Sequence, residues 1–210
     1  MDLALFDFDG TLTTTDTFGK FLYFSSSRAR IAVGTLLLGP LLFGFKRGVV
    51  PGALLRRASV AFCFRNRSVA EIAERGRRFA QTFDAFLRPE AMAKLRWHQA
   101  KGDRVAIVSA SLSTYLGPWS EPLGVDLLCS RLDARGGVHT GKYEGKDCSG
   151  EEKARRVRAT YDLASFGDIY AYGDTAEDHE LLALANRRYF RWKELDSSLP
   201  LESAIRGVAG

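Results

Sequence analysis

The residues that most constrain this chain come at its start, where Leu3-Ala4-Leu5-Phe6 runs directly into Asp7-Phe8-Asp9-Gly10-Thr11-Leu12. A short apolar run of this kind reads as a buried strand, and Gly10 with Thr11 breaks it into a loop. Two carboxylates therefore stand at the C-terminal end of a strand, where open α/β sheets place their ligand sites. Two apart, Asp7 and Asp9 would project to one side if the strand continued, and their like charges would then call for a cation or a shared proton. A metal site is the simplest resolution; a surface Asp-Gly turn with two solvated acids is the plainer alternative.

Behind this loop the pattern turns helical. Asp16-Thr17 can cap a helix through Phe18, Phe21, Leu22 and Phe24, and residues 51–64 and 68–87 read as two more helices. Between them Ile31 to Phe45 holds no charge, with Arg28 and Arg30 before it and Lys46 and Arg47 after it. That run is shorter than the roughly 20 apolar residues a membrane span requires, and Gly34, Gly39, Pro40 and Gly44 weaken it as one helix. A helical hairpin or a kinked helix is expected, buried within the protein; docking at a membrane interface is the alternative. Residues 17–88 carry thirteen Lys and Arg against three Asp and Glu, a surplus of ten in a chain whose net charge is +5. The positive charge is thus confined to this segment, which suits an anionic ligand or surface.

From residue 89 strands and helices alternate. Helices are expected at 91–100, 112–119, 151–161 and 175–186, strands at 104–108, 125–129, 169–172 and 188–191, and a hairpin at 130–140 turning on Arg135-Gly136-Gly137. The chain is therefore expected to be α/β, a doubly wound parallel sheet built from residues 1–15 and 89–210, with a helical unit over residues 16–88 inserted after the first strand. Cys63, Cys129 and Cys148 have no metal-type spacing and cannot all pair, which suggests reduced thiols and a cytoplasmic setting. The opening residues show no signal-peptide pattern.

Three further strand ends fall in line with the first. Ser109-Ala110-Ser111 follows one strand and precedes a helix, a place where a hydroxyl and backbone N–H groups can hold a phosphate. Gly173-Asp174 follows another, with Asp178 four residues on, and Lys153 opens a helix between them. In order and spacing the set resembles the haloacid dehalogenase superfamily of phosphohydrolases: Asp7-Phe8-Asp9-Gly10-Thr11 is similar to its first motif, Ser109 to its second, Lys153 to its third and Gly173-Asp174 with Asp178 to its fourth. The insertion is similar to the type 1 cap of the branch that includes phosphoserine phosphatase.

The resemblance implies that Asp7 attacks phosphorus to form an aspartyl-phosphate and that Asp9 protonates the leaving alcohol and later deprotonates water. It implies phosphate binding by Ser109, Ala110 and Lys153 with the Gly10-Thr11 loop, and a supporting role for Asp178. Mg2+, which prefers oxygen ligands and keeps several waters, suits Asp7, the Asp9 backbone carbonyl and Asp174. For the substrate, Asp16 stands where phosphoserine phosphatases present a Glu, Ser109-Ala110-Ser111 replaces their Ser-Gly-Gly, and Arg56 or Arg57 is the candidate for their carboxylate-binding Arg. These departures speak against serine specificity. A small soluble phosphomonoester is the first expectation; the alternative is a lipid phosphate at the membrane's inner face, since the cap is also similar to that of bacterial phosphatidylglycerophosphatases of the branch. A non-catalytic anion- or membrane-binding module ranks below both, and no nucleic-acid partner is expected because aromatic residues do not interleave a basic strand surface.

Overall fold

The computed structural model describes residues 1–208. Strand β1 (Leu3–Phe6) is followed by five helices, α1 (Thr17–Ser25), α2 (Arg28–Lys46), α3 (Gly52–Phe64), α4 (Val69–Ala80) and α5 (Pro89–Lys101). The chain then alternates through β2 (Arg104–Leu112), α6 (Ser113–Ser120), β3 (Asp126–Ser130), a hairpin of β4 (Leu132–Arg135) and β5 (Val138–Tyr143), α7 (Glu151–Thr160) and β6 (Ile169–Gly173). It ends with α8 (His179–Leu182), β7 (Arg187–Phe190), β8 (Lys193–Glu194) and α9 (Leu201–Val208).

Six strands form one sheet in the order β3-β2-β1-β6-β7-β8, parallel except for β8. The order reverses beside β1: the chain builds outward through β2 and β3 on one side, then returns to place β6 on the other. Phe6 consequently lies between Ile107 and Tyr172, and the ends of the three central strands share one crevice. Alternate residues of β1 serve opposite faces. Ala4 and Phe6 pack with Tyr115, Tyr170 and Tyr172, whereas Leu3 and Leu5 pack with Val157, Leu181 and Ile205.

The first of these clusters continues into the helical insertion through Phe21, Phe64, Phe79 and Phe83. Contact between insertion and sheet domain is closest where α4 crosses α6, since a Cβ built on Gly76 would lie 2.1 Å from the Thr114 carbonyl oxygen. On the other side of the crevice Arg56 of α3 reaches Asp147 at 2.8 Å and Glu177 at 2.9 Å.

Several elements differ from expectation for identifiable reasons. The charge-free run forms neither a hairpin nor a buried segment; α2 is a single helix, capped by Ser27, and only Gly34 is buried. Pro40 removes one helical donor, but on a stretch where Leu36 and Leu37 are 78% and 60% exposed the loss falls where solvent can compensate. The helix expected over 68–87 stops at Ala80, where the Thr82 hydroxyl donates to the Phe79 carbonyl and a 3-10 turn follows. That over 175–186 is split into a 3-10 turn, Ala176–Asp178, and α8. The hairpin turns at Gly136 and Gly137, both at positive φ, and it also joins the insertion: Asn66 donates to the His139 carbonyl and His139 to that of Arg67. Strand β8 and helix α9 carried no signal recognised in the sequence.

Candidate active site

The loop after β1 is shaped by Gly10. Its φ of +83° is a left-handed conformation, and a Cβ there would lie 2.2 Å from Oδ2 of Asp174. Only glycine permits both the turn and the close approach of the two strand ends. The same loop is held from outside, with Arg88 Nε donating to the Gly10 and Thr13 carbonyls and Trp192 Nε1 to that of Thr11. Thr11 Oγ1 donates to Asp174 Oδ1 at 3.2 Å.

This tight turn separates the two acids that a continuing strand would have placed together. Asp7 faces Lys153, whose Nζ donates to Asp7 Oδ1 at 2.6 Å and to Asp178 Oδ1 at 2.5 Å. The Asp9 carboxylate points instead toward α1 and the end of β2. It accepts from Thr17 N at 2.7 Å, from Thr17 Oγ1 at 2.6 Å and from Ser111 Oγ, which in turn accepts from the Tyr115 hydroxyl at 2.7 Å. The like charge that bears on Asp9 comes from Asp16 rather than Asp7. Among the described residues the carboxylates that gather at ligating distance are those of Asp7, Asp174 and Asp178, and that of Asp9 is not one of them.

Burial sets the ionisation of the site. It pushes Asp9 up to about 6, helped by the Asp16 charge and opposed by the bonds from Ser111 and Thr17. Burial also holds Asp7 well above the usual carboxylate range; Lys153 pulls it back, while the charges of Asp178 and Asp174 add to the rise. Asp174 is raised by burial and by Asp178. For Asp178 burial is outweighed by the Lys153 charge and by N–H bonds from Thr175 and Asp174, so it lies below its ordinary value. Lys153 stays charged despite its burial because Asp178 and Asp7 flank it.

One carboxylate oxygen from each of Asp7, Asp174 and Asp178 falls within 4.8 Å of the other two. Three acids around one ammonium leave an excess of negative charge, and this all-oxygen donor set fits a hard divalent cation such as Mg2+. Asp178 already accepts from Lys153, two backbone N–H groups and the Thr175 hydroxyl, so it is better placed to hold Lys153 and the Asp174 main chain than to give an oxygen to a metal.

A pocket of about 320 Å³ opens above these groups, lined by Asp7, Asp9, Gly10, Ser109, Ala110, Lys153 and Asp174. Thr11 and Asp178 stand behind it as supports. Ser109 is buried and its Oγ accepts from Ser111 N at 3.1 Å. The strand expected to end at Val108 runs on, irregularly, to Leu112, and α6 starts at Ser113, one residue after the expected start. Of the three expected selectivity residues, Asp16 and Arg56 line this pocket, each with partners of its own, and Arg57 does not. Asp16 caps α1 by accepting from Phe18 N and Gly19 N, Arg56 is engaged by Asp147 and Glu177, and Arg57 is exposed away from the pocket lining. Thr17, Ser111, Tyr115 and Arg88 support the site but were not singled out from the sequence; only the repeated serine of Ser109-Ala110-Ser111 and the Asp16-Thr17 pair offered a signal.

Comparison with known proteins places these features in context. Residues 4–183 match the model of the haloacid dehalogenase-like hydrolases. Protein CicA of Caulobacter vibrioides is 36% identical over 192 residues, covering 90% of this chain and 85% of that protein. A Bordetella pertussis Tohama I protein of unknown function has a similar structure, with a TM-score of 0.75 at 27% identity over 90% of this chain and 89% of that one. A phosphoserine phosphatase, solved as a phospho-aspartyl intermediate analogue, gives 0.66 at 20% identity over 90% and 85%, a likeness of fold.

Proposed function

The chain belongs to the haloacid dehalogenase-like hydrolases, and we propose that it is a Mg2+-dependent phosphomonoester hydrolase acting through an aspartyl-phosphate. The observation that carries this reading is the contrast between two carboxylates facing one pocket. Asp7 is tied to Lys153, whereas Asp9 is held by neutral donors and titrates at about 6. Two acids in different environments can take different roles, one as nucleophile and one as acid and base.

Asp7 attacks phosphorus while Asp9 delivers its proton to the departing alcohol oxygen. The Asp9 carboxylate then takes a proton from water, which displaces Asp7 from phosphorus and releases inorganic phosphate. Lys153 fixes the Asp7 carboxylate and supplies positive charge to the phosphoryl oxygens, with Ser109 and the Ala110 backbone lining the same pocket. Mg2+ held by Asp7, Asp174 and the Asp9 carbonyl would neutralise the remaining negative charge. Thr17 and Ser111 keep the Asp9 carboxylate turned toward the leaving group rather than toward Asp7.

Hydrolysis of p-nitrophenyl phosphate with and without Mg2+ tests the reading. Asp7→Asn should abolish turnover, and Asp9→Asn should accumulate a hydroxylamine-labile phosphorylated protein. Retained Mg2+-dependent turnover in Asp7→Asn would overturn the mechanism.

A further inference from the structure

We infer that the substrate is a phosphomonoester whose alcohol carries a long aliphatic chain, that this chain lies in a channel between α1, α2 and α3, and that it is drawn from an anionic bilayer on which α2 rests. The inference rests on the hydrolase reading above and names the substrate class for it.

The channel is a second cavity of about 380 Å³, with apolar walls that include Phe18, Leu22, Leu38, Leu42, Leu55 and Phe62. It adjoins the catalytic pocket, because Asp16, Phe18 and Arg56 line both. The two charged residues at this junction are already engaged, Asp16 by the N-terminus of α1 and Arg56 by Asp147 and Glu177. With Arg56 paired to two carboxylates, a leaving group passing the junction meets no free cation to recognise a carboxylate. Beyond it the lining is mostly apolar, suited to an aliphatic chain.

The channel is held open by its frame. Arg30 Nη1 donates to the carbonyls of Phe62 and Cys63, and Gly34 lets α2 approach α3 so closely that a Cβ would lie 2.8 Å from the Phe62 ring. These contacts fix α2 against α3 at one end, and the remaining gap is the channel.

The outer side of α2 indicates where such a substrate comes from. Leu36, Leu37 and Phe43 project from it into solvent, and Val49 follows in the turn beyond. Arg28 at the start of the helix and Lys46 and Arg47 at its end are exposed. From Thr17 to Ala70 there are nine Lys and Arg and no Asp or Glu. An apolar helix surface with basic residues at both ends and no acid in its own stretch of chain is complementary to a bilayer bearing anionic headgroups, with the helix lying along the interface. Continuity of that helix with the channel wall lets an aliphatic chain pass from bilayer to pocket without crossing water. This inverts the order of the two substrate expectations drawn from the sequence.

The test uses the full chain with Mg2+ and ethyl, hexyl and decyl phosphate below their micelle concentrations. Each methylene that enters the channel adds binding, so kcat/KM should rise roughly tenfold or more from ethyl to decyl. Leu38→Trp, which narrows the channel, should collapse the decyl-to-ethyl ratio; a ratio taken within one protein is insensitive to a general loss of activity. Wild-type protein should float with phosphatidylglycerol–phosphatidylcholine vesicles, and the Leu36→Asp/Leu37→Asp double variant should not. Hydrolysis of all three esters at equal efficiency overturns the inference and leaves the hydrolase reading standing; no hydrolysis of any ester removes both. Chain-length selectivity without flotation overturns the bilayer source, as does a self-association that Leu36→Asp/Leu37→Asp abolishes, because a second copy would then cover α2.

Discussion

Gly10 allows the cost of a backbone conformation to be separated from the cost of a misplaced catalytic group. In Gly10→Ala the new Cβ meets two penalties. A non-glycine residue at φ +83° pays about 1 kcal/mol, and the Cβ must displace an Asp174 carboxylate oxygen that would otherwise be 2.2 Å away. The displaced carboxylate also loses the Thr11 hydrogen bond, worth about 1 kcal/mol. Gly102, the left-handed residue that ends α5, has φ +79° with nothing within 4 Å of its Cβ position, so Gly102→Ala pays the backbone penalty alone. Thermal unfolding should therefore place both variants below wild type, Gly10→Ala lower by about 2–4 °C for the extra 1 kcal/mol. The activities should differ far more. If Asp174 holds Mg2+ as proposed, moving its carboxylate by about 1 Å costs on the order of 100-fold in kcat/KM, and the Mg2+ concentration for half-maximal rate should rise in Gly10→Ala only. Equal kcat/KM in the two variants would refute the claim that Gly10 is glycine because Asp174 must stand beside it.

Other consequences follow from the same contacts. Lys153→Met leaves Asp7, Asp174 and Asp178 without their ammonium, which should cost about 3–5 kcal/mol in metal-free buffer; Mg2+ should raise the melting temperature of this variant more than that of wild type, and an equal rise would count against a cation site there. Arg56→Ala breaks the ion pairs to Asp147 and Glu177 and should destabilise by about 2 kcal/mol in denaturant titrations; no change would mean the pairs are screened. His98 is fully buried between Asp103 and the Tyr172 hydroxyl, and burial holds its pKa below the usual value although Asp103 pulls it up. Below about pH 6.5 the unfolded chain binds a proton that folded His98 refuses, so stability should fall from pH 7 toward pH 5. The raised Asp9 acts in the opposite sense but is common to wild type and His98→Gln; a pH dependence undiminished in His98→Gln would show that His98 is not its source.

What could be read in the sequence is what depends on local pattern. β1, β2 and β6 are apolar runs that end in polar residues, and a parallel sheet has few other ways to use them; the crevice at their ends follows from that. Asp7, Lys153 and Asp174 could be placed together because each sits at a strand end or early in the adjoining helix. The partition between Asp7 and Asp9 could not, since it depends on a five-residue turn that sends one side chain to Lys153 and the other to Thr17 and Ser111, residues about eight and a hundred positions away. The fate of α2 was equally hidden. A charge-free run has the same pattern whether protein, lipid or water covers it, and only the arrangement of α1 and α3 shows which side is left open. Arg56 looks available in sequence, but its tertiary partners Asp147 and Glu177 occupy it; Asp16 takes the helix-capping place that its own neighbours already suggested.

The crossing of α4 over α6 has a consequence for how matter moves through this protein. With Gly76 set against the Thr114 carbonyl, the backbones of the two helices touch at one point, and beside it Phe79 of α4 packs edge-on against Tyr115 of α6. The roof over the crevice therefore cannot tilt about α4 without separating that contact, and α4 amides should exchange with solvent as slowly as those of the central strands. Traffic falls to the opposite margin, where α2 borders the channel and one arginine spans the gap. Selection for a different leaving group could then act on α2 and its neighbours while the fixed margin kept the reacting groups in register.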